Sequence, residues 1–363
     1  MSADIQPDIG RQPAFVGIML TLCVIAVLLN LLVILAVVKF GRGRSSIDIF
    51  VSNLAVSDIL HAGIVTPIYF KNVTVYHKNF YGGGFVCKLT MFIPLLSILG
   101  GTLTMVAISL DRYRMYVTKK QPITRRQALF VVALIWITAF LISSPHFYEY
   151  NVYEDADEKN QNHTYTACGS EGIAENFETI YASCVVTLAF LVPVLVLAIC
   201  YTKVMIHVRK HSRRLRCTQS IPTNASCSTE SITTTNRMVS AEKIRKLNML
   251  ILISTTFIAL WTPYFIMFAL TEITGTDDTA HFLEWPHVVN RTMTVLSTIS
   301  NPLIYLVYSK TCRQTILDIL TCTSIREPQV EGTVGEPSHK VGPANENWNA
   351  SEYGRTDVIK VNI

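Results

Sequence analysis

The chain has 363 residues, 50% of them hydrophobic and 16% charged, with a formal net charge of +5. An average soluble domain carries roughly 25% charged residues, so this composition excludes one. It also excludes a disordered, collagen-like or disulfide-framework protein.

Residues 1–13 contain Arg11 as their only basic residue and lack the basic start and small-residue cleavage site of a secretory signal, so they read as a retained N-terminal segment. Seven apolar runs follow, at 14–38, 47–70, 85–110, 128–148, 180–202, 247–271 and 286–308. A helix needs about 20 apolar residues to cross a hydrocarbon core roughly 30 Å thick. Unpaired backbone groups cost several kcal/mol in lipid, so runs of this length predict helices. Outer-membrane barrels would instead show alternating stretches of about 10 residues. The expected fold is an all-α membrane protein, a seven-helix transmembrane bundle over 14–308.

Positive charge sets the orientation. The first, third and fifth connections hold Lys39, Arg42 and Arg44, then Arg112 to Arg126, then ten basic residues from Lys203 to Lys246. Those loops are placed in the cytoplasm, which puts the N-terminus outside a cell membrane that the chain crosses several times. Asn72 and Asn162 then begin glycan acceptor triplets on outer loops. The third inner loop turns Ser- and Thr-rich from Thr218 to Thr235 and reads as a phosphorylatable linker.

Beyond Tyr308, the spacing of Cys312, Ile316, Leu317, Ile319 and Leu320 predicts a short amphipathic helix over 309–322, with Lys310 and Arg313 near lipid head groups. Cys322 and Cys312 are palmitoylation candidates there. Residues 323–363 read as a disordered cytoplasmic tail whose Val361-Asn362-Ile363 end fits a PDZ domain. Of the nine cysteines, only Cys87 and Cys168 fall on the outer side, which predicts one disulfide between them.

A charge at the bilayer centre costs about 2.5 to 3.5 kcal/mol on insertion scales, so each one suggests function. Asp58 lies mid-span, and Asn30, Ser297 and Asn301 are the polar groups best able to face it, either as a hydrogen-bond network or around a hydrated cation. At the inner end of the third run stands Asp111-Arg112-Tyr113, an arginine that a neighbouring carboxylate can hold and release.

Together these residues resemble the rhodopsin-like G-protein-coupled receptors, over 14–322. The resemblance is carried by Asn30, by Leu54-Ala55-Val56-Ser57-Asp58, by Cys87, Asp111-Arg112-Tyr113 and Trp136, by Pro193 with Tyr201, by Phe257, Trp261 and Pro263, and by Asn301-Pro302-Leu303-Ile304-Tyr305. It implies a receptor that shifts between two packings on binding an extracellular ligand. Trp261 would lie beneath the ligand, and Pro193 and Phe257 would repack. The sixth helix would swing about Pro263, and Tyr201 and Tyr305 would approach Arg112, loosened by Asn301-Pro302. It also implies a heterotrimeric G protein and arrestin as partners and sodium at Asp58, Ser297 and Asn301. Departures are Leu29 before Asn30, Gly101 in place of the sodium-site serine, Ser297 where asparagine is common, Lys243 with Glu242 at the position of a locking glutamate, and the late Pro122.

Pro94 occupies the place of the aspartate of amine receptors, and Val295 that of the retinal-binding lysine of opsins, so neither ligand is expected. Residues 149–178 hold eight acidic side chains and residues 272–284 hold four, against Lys159 and, just beyond, Arg291. Such a mouth steers cations. It predicts a basic neuropeptide, with Glu149, Glu171, Glu175, Glu178, Glu272 and Glu284 as candidate contacts. The alternatives are a receptor of this family for a lipid or small metabolite and, further off, a seven-span transporter. Neither an enzymatic nor a nucleic-acid-binding motif is present in the sequence.

Overall fold

A computed structural model describes residues 13–39, 45–68, 80, 82–157, 160–170, 175–219, 229–274, 285–309 and 313. Seven long helices run through these residues: α1 (Pro13–Lys39), α2 (Ser46–Leu60), α3 (Gly83–Tyr116), α4 (Arg125–Ser143), α5, α6 (Thr229–Thr274) and α7 (Trp285–Tyr308). Helix α5 begins as Glu175–Val186 and is completed by Val192–Gln219. Six of the seven are long and apolar enough to span a membrane. In α7, apolar residues give way to Asn290, Thr294, Ser297, Thr298 and Asn301, all of them buried inside the protein.

Polarity is arranged for lipid. Phe130, Leu141 and Leu195 are exposed by 60% or more, while Asn30, Asn53, Asp58 and Thr104 are buried. A solvent that accepts no hydrogen bond leaves apolar side chains at no disadvantage outside and requires polar ones to find partners within. Many hydroxyls close onto their own helix, as Thr102 does on the Ile98 carbonyl at 2.8 Å. Helix α3 sits centrally, packed on α2, α4 and α5, while α7 packs on α6 and α1.

Two prolines reshape the helices they follow. A proline at position i lacks an N–H and clashes with the carbonyl of i−4. The chain relieves this with a π turn at His61–Val65 ahead of Pro67 in α2, and another at Thr187–Leu191 ahead of Pro193 in α5. Each adds a residue to one turn and so rotates the side chains on either side of it relative to each other.

Several elements depart from the expected bounds. Helix α3 reaches Tyr116, α5 reaches Gln219 and α6 starts at Thr229, so part of the expected third-loop linker is helical. The fourth connection forms an antiparallel hairpin, β1 (Tyr150–Asp157) with β2 (Asn160–Ser170), in which Val152 pairs with Cys168. Cys168 is disulfide-bonded to Cys87 in the first turns of α3. The Phe80 N–H donates to the Thr166 carbonyl at 2.7 Å. Of the expected amphipathic helix at 309–322, only Ser309 and Arg313 are described. Cys312, Cys322, the tail and Asn72 lie outside the described residues, as does the side chain of Asn162.

Three helices lock where α3 is thinnest. The Trp136 indole N–H donates to Asn53 Oδ1 at 2.8 Å, and Asn53 Nδ2 donates to Thr104 Oγ1 at 2.7 Å, joining α4, α2 and α3. A Cβ on Gly100 would meet Ser57 Oγ at 2.9 Å and the Trp136 ring at 3.1 Å, so glycine permits this approach. Trp136→Phe keeps the ring but leaves Asn53 Oδ1 without its indole donor. The expected cost is about 1 kcal/mol, read as a lower unfolding midpoint of the receptor in nanodiscs. Gly100→Val should lower the midpoint further, and two unchanged midpoints would refute the lock.

Candidate functional site

At the inner end of α3, Asp111 and Arg112 are both buried. The guanidinium pairs with the Asp111 carboxylate. The same carboxylate accepts the Ser46 hydroxyl of α2 at 2.9 Å and the Ile123 N–H of the second inner loop at 3.1 Å. Asp111 is therefore held from three directions. Arg112 is not, because its Nε is buried without a partner and one terminal nitrogen reaches only the Met115 sulfur at 3.8 Å. A buried guanidinium with donors to spare is caged rather than satisfied. The neighbouring Tyr113 ring lies 5.8 Å from Lys203 Nζ.

Both tyrosines named from the sequence have bonds elsewhere. The Tyr201 hydroxyl accepts from Ser254 at 3.2 Å, and the Tyr305 hydroxyl donates to Asp48 at 3.5 Å. The side chains of Glu242 and Lys243 lie outside the described residues.

One level up, Asn301 Nδ2 donates to Asp58 Oδ2 at 2.9 Å. The other two groups expected to face Asp58 are committed differently. Asn30 donates to the Ala26 and Thr298 carbonyls, each at 2.9 Å, and Ser297 accepts the Trp261 indole N–H at 3.0 Å. A hard cation takes about six oxygen ligands. Here the carboxylate faces an amide donor, Gly101 brings no hydroxyl, and Asn301 Oδ1 is the buried amide oxygen left over. Asp58, Asn301, Asn30 and Ser297 are each engaged in a hydrogen bond of this inner layer.

Aromatic side chains of α6 form an apolar column. Trp261 packs on Phe257 at 5.6 Å between ring centroids, Pro263 lies inside α6, and Pro193 follows the π turn of α5. Above Trp261 the column continues through Tyr264, Phe265 and Phe268. Tyr264 stacks on Phe268 at 6.3 Å, and Phe190 of α5 stacks on Phe265 at 4.6 Å. Positions 261, 264, 265 and 268 share one helical face. That spacing was readable in the sequence, where only Trp261 drew attention.

His61 lies inside the bundle at 4% exposure, its ring in a T-shaped contact with Trp261 at 5.2 Å. Glu149, one of the candidate acidic contacts, is buried and bonded to His146 Nδ1 at 3.1 Å, within a single helical turn (His146–Glu149). That turn rests on Tyr150 and Tyr181, whose rings meet His146 edge-on. Of the other acidic candidates, Glu171 and Glu284 lie outside the described residues, and Glu175, Glu178 and Glu272 are described in their backbone alone.

A profile of the 7 transmembrane receptors of the rhodopsin family matches residues 29–305. Neuropeptide receptor 22 of Caenorhabditis elegans is 32% identical over 252 residues, covering 68% of this chain and 55% of that protein. The pyroglutamylated RF-amide peptide receptor of Mus musculus is 22% identical over 311 residues, covering 82% and 67%. The GQ-coupled rhodopsin of Mizuhopecten yessoensis is 27% identical over 273 residues, covering 72% and 50%. The chain thus spans about half to two thirds of the length of these relatives. With its membrane-spanning helices, caged arginine and matched profile, the chain belongs to the rhodopsin family of seven-transmembrane receptors.

Proposed function

We propose that the protein is a cell-surface receptor, N-terminus outside, that binds a basic peptide and activates a heterotrimeric G protein. The observation that carries the coupling half is the caged Arg112: a buried guanidinium with an unpartnered Nε, while Tyr201 and Tyr305 are bonded to Ser254 and Asp48. The ligand presses on the aromatic column, Trp261 shifts, and α6 turns about Pro263, where the helix lacks a backbone bond. Phe257 and Pro193 repack, and Arg112 leaves Asp111 for the G protein while Tyr201 and Tyr305 close on the site. Arrestin competes for the same inner face, and a PDZ domain takes residues 361–363.

Two observations favour a basic peptide. The aromatic column offers ring faces on which a guanidinium can stack. The acidic outer loops draw cations toward it, with Glu154 exposed on β1 as a described member. Two relatives are named for neuropeptides and RF-amide peptides, in keeping with an arginine-containing amide as ligand. Likeness to a rhodopsin does not extend to retinal, since Val295, fully buried, stands where a Schiff-base lysine is needed.

Transfected cells exposed to a library of basic amidated peptides, and read by calcium and cyclic nucleotide, should respond to arginine-containing members. Replacing that arginine by citrulline should weaken the response about tenfold or more, in line with a charge-assisted contact. Activation by lipids or acidic metabolites alone would overturn the ligand assignment. Phe268→Ala, at unchanged surface expression, should lower agonist potency about tenfold through loss of an aromatic contact, and unchanged potency would remove the column from the binding site.

A further inference from the structure

His61 is a buried, hydrogen-bonding side chain that the proposed activation path leaves unused. It sits at the start of the α2 π turn, and the Thr66 hydroxyl closes that turn by donating to the His61 carbonyl at 3.2 Å. The imidazole Nδ1 lies 3.4 Å from Ser97 Oγ of α3. Ser97 gives its single hydroxyl proton to the Pro94 carbonyl at 2.8 Å. With that proton so committed, the Ser97 oxygen serves as acceptor for His61 in the tautomer that carries a proton on Nδ1. The other contact of the ring is Trp261, met edge-on at 70° with centroids 5.2 Å apart.

Trp261 is thus gripped from two sides. Its N–H is bonded to Ser297 of α7, and its ring packs against an imidazole anchored to α3. We propose that His61 is a positioning residue that holds Trp261 in the resting arrangement, with Ser97 as its anchor, so that the pair sets the receptor's agonist-free activity. In this scheme His61 acts through the indole. The proposal rests on the receptor reading above but concerns the switch rather than the ligand.

The test uses full-length receptor in nanodiscs, with agonist-free nucleotide exchange on purified G proteins at matched receptor amounts. His61→Phe keeps a ring beside Trp261 but cannot donate to Ser97, whereas His61→Asn keeps a donor and loses the ring. Each should raise agonist-free exchange about three- to tenfold, the range for losing one buried hydrogen bond or one aromatic contact. Ser97→Ala should match His61→Phe, and the double variant should add nothing. In a Trp261→Leu background none of these changes should have an effect.

A second readout needs neither ligand nor G protein. The Trp261 indole resonance of 15N-tryptophan receptor, assigned by its loss in Trp261→Phe, should move alike in His61→Phe and Ser97→Ala. An unmoved resonance overturns the proposal whatever the exchange assay reads, and so does an equal rise in exchange without Trp261. Should the histidine variants fail to fold, Ser97→Ala carries the same two expectations alone.

Discussion

Lipid cannot hydrogen-bond, and this one constraint organises the molecule. Every polar group carried into the bundle must find its partner there. The pairing holds the helices together: Asn53 joins Trp136 to Thr104, Asn30 joins α1 to α7, and Asn301 holds Asp58. Where pairing is incomplete, the structure has a reason to change. Arg112 Nε and Asn301 Oδ1 are buried without partners, and both belong to residues assigned to the switch.

Prolines supply the compliance that such a change needs. Helices α3, α6 and α7 carry Pro94, Pro263 and Pro302 within their length. Helices α2 and α5 absorb theirs as π turns. A helix with a missing backbone bond can bend at a defined place without unpairing the rest of its ladder. Helix α1 has no internal proline and α4 none at all, so the interrupted backbone ladders are those of α2, α3, α5, α6 and α7.

Features governed by one-dimensional pattern were legible in the sequence. Apolar run length gave the long helices, and cysteine placement gave the Cys87–Cys168 bond. Features governed by register were not. Helical spacing from Asp58, three residues earlier, places His61 on the inward face, but the neighbour it meets there, Trp261 of α6, depends on how the helices pack. Glu149 looked like one acid among many, yet His146 three residues earlier, on the same helical turn, withdraws it from solvent. Asn30 and Ser297 were polar and at the right depth, but which partner each takes depends on helix rotation, and they bond Thr298 and Trp261 rather than Asp58. The hairpin in the fourth connection is set by pairing with a chain already pinned at Cys168, information that no local window contains.

The account stands on Asp111 restraining Arg112 and on Arg112 being the group that is released. Guanine-nucleotide exchange by purified receptor, compared between Asp111→Asn and Arg112→Ala, tests this most directly. Weakening charge-assisted bonds to Asp111 should raise agonist-free exchange about tenfold or more, while Arg112→Ala should abolish the agonist response at normal surface expression. Agonist-driven exchange that survives intact without the guanidinium would contradict the account.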